Sequence, residues 1–338
     1  MIPLLLVTGF LGAGKTTLIN RLLKHPALSD ALVVVNEFGE IGLDHELYEP
    51  LAEGVLLLAS GCLCCELRGD LVEGLKSLLG RRAKGEIAFE RIVLETSGLA
   101  DPAPILHALY ADRTLAERLR LSEVVTLVDA VNGEATLERY GEARRQIAMA
   151  DVVVLTKSDM ATTEGLAKLR EALALIRPAA RLFEANADLD IGALLAESPL
   201  GAPRATSTLS VHSGAPQSHV FRSEKPVDAR ALRLFLACLG ACLGPRLLRV
   251  KGLIALRDDP GRPLLVQGAQ HAFAPPVRLP AWPTPEKGTR LVVIGDGLSE
   301  AEVAPLWRAL EGSTRYDEAD LAALSDNPLA PKLGGLLS

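Results

Sequence analysis

Leu4-Leu5-Leu6-Val7-Thr8-Gly9-Phe10-Leu11-Gly12-Ala13-Gly14-Lys15-Thr16-Thr17 runs an apolar strand directly into the pattern GxxxxGK(S/T). A loop of this kind binds phosphate, because its glycines let successive backbone N–H groups point inward at a polyanion. Gly9, Gly12 and Gly14 form the turn, Lys15 neutralises the outer phosphates and Thr16 holds Mg²⁺ through its hydroxyl. Thr17 and the residues after it open a helix whose positive end faces the anion. Strand, loop and helix occur in the order that a P-loop nucleotide-binding unit requires.

Further apolar runs follow at 31–35, 55–58, 91–94, 124–128 and 152–155, separated by helical patterns such as 70–79 and 164–176. Alternation of this kind predicts an α/β domain, a mainly parallel sheet with both faces covered. At 198–216 the composition turns to Pro, Gly, Ala, Ser and Thr, which marks a linker. Beyond it, a helix at 228–239, strands near 247–255, 264–267 and 290–294, and a helix at 299–310 predict a smaller α+β domain. The expected division is a P-loop domain over 1–195, a linker over 196–216, a second domain over 217–312 and a loosely ordered tail over 313–338.

The chain has 338 residues, more than one hydrophobic core usually serves, and two domains fit that length. A net charge of −6 offers no general attraction to nucleic acid or to an anionic membrane. No stretch of about eighteen apolar residues is free of charges or breakers, so a cytoplasmic protein is expected. Five cysteines cannot build a disulfide scaffold in a chain of this size. Three of them crowd into four positions, which points to metal or redox chemistry.

Two segments address the nucleotide. Thr156-Lys157-Ser158-Asp159 follows a strand and resembles the guanine-reading NKxD element of GTPases. Asp159 accepts from the N1–H and the exocyclic amine of guanine, whereas adenine leaves that carboxylate unpaired. Lys157 lies with its stem along the base. Thr156 replaces the usual Asn, and its shorter side chain weakens the expected contact to the phosphate loop. Glu95-Thr96-Ser97-Gly98 ends another strand and reads as Walker B: Glu95 serves Mg²⁺ through water, and Gly98 offers its N–H to the γ-phosphate. Leu99 stands where many GTPases place a water-orienting Gln, so slow intrinsic GTP hydrolysis is expected.

Gly61-Cys62-Leu63-Cys64-Cys65 follows the strand at 55–58, at the sheet edge where open α/β domains bind ligands. In an extended segment Cys62 and Cys64 share a side, and a turn at Cys65 into a helix near Glu66 brings the third sulfur round. Thiolates suit Zn²⁺, Co²⁺ or Cu⁺ far better than Mg²⁺, and a following helix N-terminus favours the thiolate form. Packing of buried cysteines and a redox switch are the rival readings. Residues 36–45 sit in the place of a nucleotide-sensing loop, and their carboxylates Glu37, Glu40 and Asp44 face three fates: Mg²⁺, the second metal, or solvent.

The set GFLGAGKTT, NEFGEIGLD, GCLCCEL, ETSGLADP and TKSD, in this order and spacing, resembles the CobW family of P-loop GTPases. Arg249-Val-Lys251-Gly252 and the stretch from Val266-Gln267-Gly268 to His271 extend the likeness into the second domain. The resemblance implies GTP-dependent delivery of a transition metal, zinc or cobalt, to a client metalloprotein, with Cys62, Cys64 and Cys65 carrying the ion. A homodimer is left open. Family histidine-rich storage stretches have no counterpart here, since histidines are scattered. Two rivals remain at this stage: a metal-buffering or sensing protein with incidental GTPase activity, and a small-molecule kinase, for which no Arg-rich lid is evident.

In the second domain, Cys238 and Cys242 lie four apart on a helix face with Leu234, Leu239 and Ala241, a pattern expected to pack in the core. Arg249 and Lys251 alternate on a strand and point the same way, either toward a client or into solvent. Trp282 and Trp307 read as packing residues.

Overall fold

The computed structural model describes residues 1–38, 55–60, 66–197, 216–244 and 246–312. The first half of the chain forms a sheet from β1 (Ile2–Gly9), β2 (Ala31–Phe38), β3 (Val55–Ser60), β4 (Arg91–Thr96), β5 (Leu119–Asp129), β6 (Val152–Thr156) and β7 (Arg181–Glu184). Its helices are α1 (Lys15–Leu23), α2 (Glu66–Ala83), α3 (Pro102–Ala111), α4 (Arg113–Arg118), α5 (Gly133–Arg139), α6 (Gly141–Ala148), α7 (Thr163–Ile176) and α8 (Ile191–Leu195). Among the described residues the strand order is β3-β2-β4-β1-β5-β6-β7, with every pair parallel.

The alternation within β1 shows why this half folds as it does. Leu4 and Leu6 join the core that contains Leu71, Leu75 and Leu78 of α2 and Leu106 of α3. Leu5 and Val7 project to the other face, onto Leu18, Ile19 and Leu22 of α1. A strand apolar at every position is the mark of a parallel sheet with helices on both sides. Burying each such side chain stabilises the fold by about 1.5–3 kcal/mol.

The second half forms an antiparallel sheet from β8 (Pro216–Ser223), β9 (Leu247–Leu256), β10 (Asp259–Ala269), β11 (Ala272–Phe273), β12 (Val277–Arg278) and β13 (Thr289–Asp296), with α9 (Ala229–Leu243) and α10 (Glu300–Glu311). The order is β11-β10-β9-β13-β8, and β12 pairs with β10. β8 opens at Pro216, the residue at which the expected linker closes. Asp228 caps α9 through the amides of Arg230 and Ala231, and Ser299 with Glu302 forms a capping box at α10. Trp307 packs beside Phe221 and Phe235 in the core under these helices. Trp282 is half-buried and donates to the Pro260 carbonyl at 2.9 Å.

This sheet is buried on two sides. Leu291 and Val293 of β13 face α9 and α10, while Val292 and Ile294 join the core of the first half, to which α3 also contributes. On β9, Val250 and Ile254 likewise face the helices, which turns Arg249 and Lys251 toward the first domain. The expectation that these two cations meet solvent or a client is therefore corrected. Arg249 is 2% exposed and Lys251 3%, and both pair with Asp151. Strand alternation reports a shared face and cannot say what covers it.

A second correction concerns Cys238 and Cys242. The buried face of α9 is Leu232, Phe235, Leu236, Leu239 and Leu243, which leaves Cys242 exposed, Cys238 half-exposed and Leu234 in solvent. Leu234 belongs to the cysteine face and Leu239 does not, so the expected core packing rested on the wrong helical phase.

Candidate nucleotide site and its links to the second sheet

The phosphate loop leaves β1 at the point where the sheet order reverses, with β4 on one side and β5 on the other. Ligands bind open α/β sheets in that crevice. Register sets the neighbours: Val7 pairs with Glu95, which brings the end of β4 level with the start of the loop. Gly9 has φ 146°, and a Cβ there would lie 2.5 Å from the Leu127 carbonyl oxygen, so glycine is required. Gly14, at φ 86°, caps α1 without a side-chain contact to its amides. Lys15 Nζ donates to the carbonyls of Gly9 at 3.0 Å and Phe10 at 3.4 Å, folded over the loop it serves.

Thr16 Oγ1 stands 3.4 Å from Glu95 Oε1, and Glu95 is 5% exposed. Two hard oxygen donors on adjoining elements suit Mg²⁺, so the residues present fit that ion. Thr17 is exposed on the first turn of α1. Gly98 abuts the loop from the other side: a Cβ there would lie 2.7 Å from the Leu11 amide nitrogen. Leu99 beside it is half-exposed and carries no polar atom.

The TKSD segment contacts the loop directly. Thr156 Oγ1 donates to the carbonyl of Ala13 at 3.0 Å and approaches that of Val128 at 3.3 Å. The shorter side chain thus still reaches the phosphate loop, against expectation, because the end of β6 lies close beside the loop: a Cβ on Gly14 would come within 3.6 Å of Thr156 Cγ2. Lys157 adopts φ 56° and bridges the Gly12 carbonyl at 3.1 Å to Asp129 Oδ2 at 2.7 Å. Asp159 is exposed at the same edge.

Asp129 was not singled out in the sequence, although it ends β5 as Glu95 ends β4. Burial opposes its ionised form, but Lys157 and the amides of Val131 and Asn132 outweigh this and hold the carboxyl below its ordinary range. Arg21 of α1 donates to the carbonyls of Asn186 and Ala187, the latter at 2.9 Å, and so ties the segment after β7 to the helix of the phosphate loop.

α6 supplies two further residues with no sequence signal. Gln146, 1% exposed, donates to the carbonyls of Gly98 at 3.2 Å and Ala100 at 3.0 Å. Its neighbour Arg145 reaches Asp101 at 3.2 Å, just past the Walker B segment, and Asp296 of β13 at 2.7 Å. One helix therefore touches both the Gly98 segment and the second sheet.

The deepest link between the halves is a cluster of buried charges. Asp151 accepts from Arg249 at 2.6 Å and Lys251 at 3.0 Å, with Glu123 3.8 Å from Lys251. Burial would raise the Asp151 carboxyl, yet Arg249 and Lys251 outweigh it and hold the group far below the carboxylate range. Burial draws the Arg177 guanidinium, whose Nε donates to the Ala150 carbonyl beside them, down to about 10.

Cys62, Cys64, Cys65, Glu40 and Asp44 lie outside the described residues, as does the side chain of Glu37. Their anchor points are described. Glu37 is in register with Ala59 and Phe38 with Ser60, so β2 and β3 end side by side. β3 stops two residues before Cys62, and α2 begins at Glu66, immediately after Cys65. Among the described residues no cluster of three His, Cys, Asp or Glu side chains could hold a metal, and no helix is long and apolar enough to cross a membrane.

The family model for the CobW/HypB/UreG nucleotide-binding domain matches residues 3–184. The chain belongs to the CobW family. The model of the CobW C-terminal domain matches residues 217–311. The zinc chaperone YjiA of Escherichia coli is 32% identical over 317 residues, covering 91% of this chain and 98% of that protein. Zinc-regulated GTPase metalloprotein activator 1 of Schizosaccharomyces pombe is 32% identical over 190 residues, 54% of this chain and 45% of the relative. The crystal structure of Zn(II)-bound YjiA GTPase superposes with a TM-score of 0.64 at 29% identity, covering 91% of this chain and 98% of that one. Membership of the CobW family thus spans both sheets.

Proposed function

We propose that this protein is a GTP-hydrolysing metallochaperone that carries a transition metal, Zn²⁺ foremost and Co²⁺ second, on Cys62, Cys64 and Cys65 and yields it to a client metalloprotein. One observation carries this reading. The five residues 61–65 join the end of β3 at Ser60 to the start of α2 at Glu66, and β3 stands three strands from β1, about 14 Å at about 4.8 Å per strand. A metal held there is within reach of a loop that responds to the γ-phosphate, since β2, whose C-terminal end carries Glu37, lies between β3 and β4. Glu37, Glu40 and Asp44 belong to that responsive segment.

GTP is the substrate. Gly9, Gly12, Gly14, Lys15, Thr16 and Thr17 hold its phosphates, and Lys157 and Asp159 select guanine while Thr156 ties their strand to the loop. Bound Mg²⁺, on Thr16 and Glu95, would neutralise charge developing on the phosphates. Gly98 senses the γ-phosphate, and Leu99 cannot orient water, so unassisted turnover is slow and a partner accelerates it. The kinship with YjiA and with the fission-yeast activator, whose names describe a zinc chaperone and a zinc-regulated GTPase, supports this assignment. We place the protein in the cytoplasm, where thiolates stay reduced, and assign residues 1–195 to the GTPase domain, 196–216 to a linker, 217–312 to the CobW-like C-terminal domain and 313–338 to a tail.

Coupling is reciprocal: GTP tightens the metal site, and metal tightens GTP binding by the same factor, of the order of 5 to 150-fold. Titration of Zn²⁺ and Co²⁺ into the protein loaded with a GTP analogue and with GDP tests it. Tighter metal in the GTP state, abolished when all three cysteines become serine, is expected. Equal affinity in the two states would make the protein a metal buffer whose GTPase activity is incidental.

A further inference from the structure

His107 and His271 come from different halves of the chain and meet through their Nε2 atoms. His107 stands on α3, which packs against β10 and β11, and His271 stands in the two-residue turn joining those strands. The two nitrogens are 2.9 Å apart, with ring centroids 4.3 Å apart and planes inclined by 58°. His107 is half-buried and His271 exposed, so an ion reaches the pair from solvent.

The backbone that carries each ring is held by its surroundings. Tyr110, one helical turn beyond His107, donates its hydroxyl to Gln267 Oε1 at 3.2 Å, and Gln267 Nε2 donates to the Leu121 carbonyl at 3.2 Å. This fixes α3 against β10. On the other side, Ala269 pairs with Ala272 across the turn, Gln270 sits at φ 52°, and its amide donates to the Leu247 carbonyl at 3.0 Å. The C-terminal end of α9 closes behind: a Cβ on Gly244 would come within 3.3 Å of His271 Cβ.

An imidazole nitrogen binds a first-row divalent metal at about 2.05 Å, and two such bonds spanning a 2.9 Å gap enclose about 90°. That is the angle between neighbouring positions of a tetragonal or octahedral ion. Widening the gap by about 0.4 Å gives the tetrahedral angle that Zn²⁺ prefers. We infer that His107 and His271 form a metal site separate from the cysteines, a pair of adjacent imidazole ligands for a borderline divalent cation, Cu²⁺, Ni²⁺ or Zn²⁺, with water completing the shell. In the metal-free pair one Nε2 carries the hydrogen that the other accepts. On binding, that proton passes to Nδ1 of the same ring, so both lone pairs face the ion and no proton is lost. A metal here joins α3 to the β10–β11 turn and so ties the two domains together.

The inference does not rest on the cysteine assignment, and its test removes the cysteines. The full-length chain with Cys62, Cys64, Cys65, Cys238 and Cys242 all changed to serine is titrated with Cu²⁺ against a competing chelator, and with Ni²⁺ and Zn²⁺ in parallel. One ion per chain, a Cu²⁺ paramagnetic resonance spectrum with two nitrogen ligands, and a metal-dependent rise in melting temperature are expected. His107→Gln and His271→Gln should each weaken binding at least tenfold and abolish the thermal shift. His271 lies exposed in a turn, so its variant keeps the fold and remains decisive if His107→Gln alters the helix. Binding unchanged in either variant, or no binding by the parent, overturns the site whatever the fate of the cysteine reading.

Discussion

The side chain of Gln146 donates to the carbonyl oxygen of Gly98 at 3.2 Å, and the same amide group reaches Ala100. α6 thereby holds the segment that follows Glu95 in place from behind. Gln146→Leu keeps the volume and leaves two buried carbonyls without their donor, a loss of about 1–3 kcal/mol. If the segment responds to the γ-phosphate, kcat for GTP falls roughly tenfold while GDP affinity is unchanged, since about 1.4 kcal/mol is a factor of ten. Steady-state hydrolysis beside GDP titration reads this directly. A lowered melting temperature with normal kcat would reduce Gln146 to a packing residue.

Gly98→Ala addresses the same segment by a different force. Its Cβ would meet Leu11 backbone at 2.7 and 2.8 Å, too close for any rotamer change to relieve. Loop and segment must part, so the variant is expected to fold yet lose most GTP hydrolysis and bind GTP analogue more weakly than GDP. Comparable affinity for both nucleotides would show that Gly98 does not sense the terminal phosphate.

Asp151→Asn should be among the most damaging single changes away from the nucleotide. It removes the carboxylate that Arg249 and Lys251 share and leaves them only Glu123, 3.8 Å from Lys251, as a buried counter-charge, and breaking a buried pair in this way typically costs about 3–5 kcal/mol. Replacing Asp151, Arg249 and Lys251 together by Leu, Met and Met, with Glu123→Gln to neutralise the carboxylate that faces Lys251, should recover much of that loss, because apolar packing avoids desolvating the ions. Urea denaturation of the two variants provides the comparison. Equal destabilisation in both would mean that the charges themselves, rather than their balance, hold the halves together.

The same carboxylate sets an acid limit. Its folded-state pKa lies below the unfolded value of about 3.9, so its stabilisation is complete above that pH and drains away as pH falls further toward the folded value. Between about pH 5 and 8 this group gives no slope. Unfolding free energies measured from neutrality down to acid should show a steeper acid decline in the native chain than in Asp151→Asn. Parallel declines would assign the acid sensitivity to other groups.

Guanine selection is checked by Asp159→Asn, which exchanges one acceptor oxygen for a donor at the edge of β6. A loss of roughly 100-fold in GTP affinity is expected from a mispaired polar contact, about 3 kcal/mol, with xanthine nucleotide gaining in its place. Retained GTP affinity would remove the TKSD segment from base recognition.

That the glycine loop after β1, the end of β4 at Glu95 and the TKSD segment gather at one edge of the sheet was legible because each couples a strand end to residues whose chemistry is local. Lys15, Thr16, Glu95 and Thr156 come together through the register of neighbouring strands, which the apolar runs already imply. Gln146 and Arg145 were not legible: a Gln and an Arg on a short helix look solvated until the strands they cover are known. Arg249 and Lys251 show the same limit, since their alternation was read correctly and their surroundings were not. For Cys238 and Cys242 the error was one of phase, with Leu234 and Leu239 credited to a single face though they stand on different ones. Thr156 was underrated because side-chain length was weighed without the close approach of β6 to the loop.

A sheet wrapped on one flank by α9 and α10 and pressed on the other against α3 and α6 has no wet face to fall back on. Prising the halves apart would uncover Val292, Ile294 and Leu248 together with the orphaned ions of β9. The protein is therefore built to melt as one body, and any rearrangement during its cycle must slide along that seam instead of opening it.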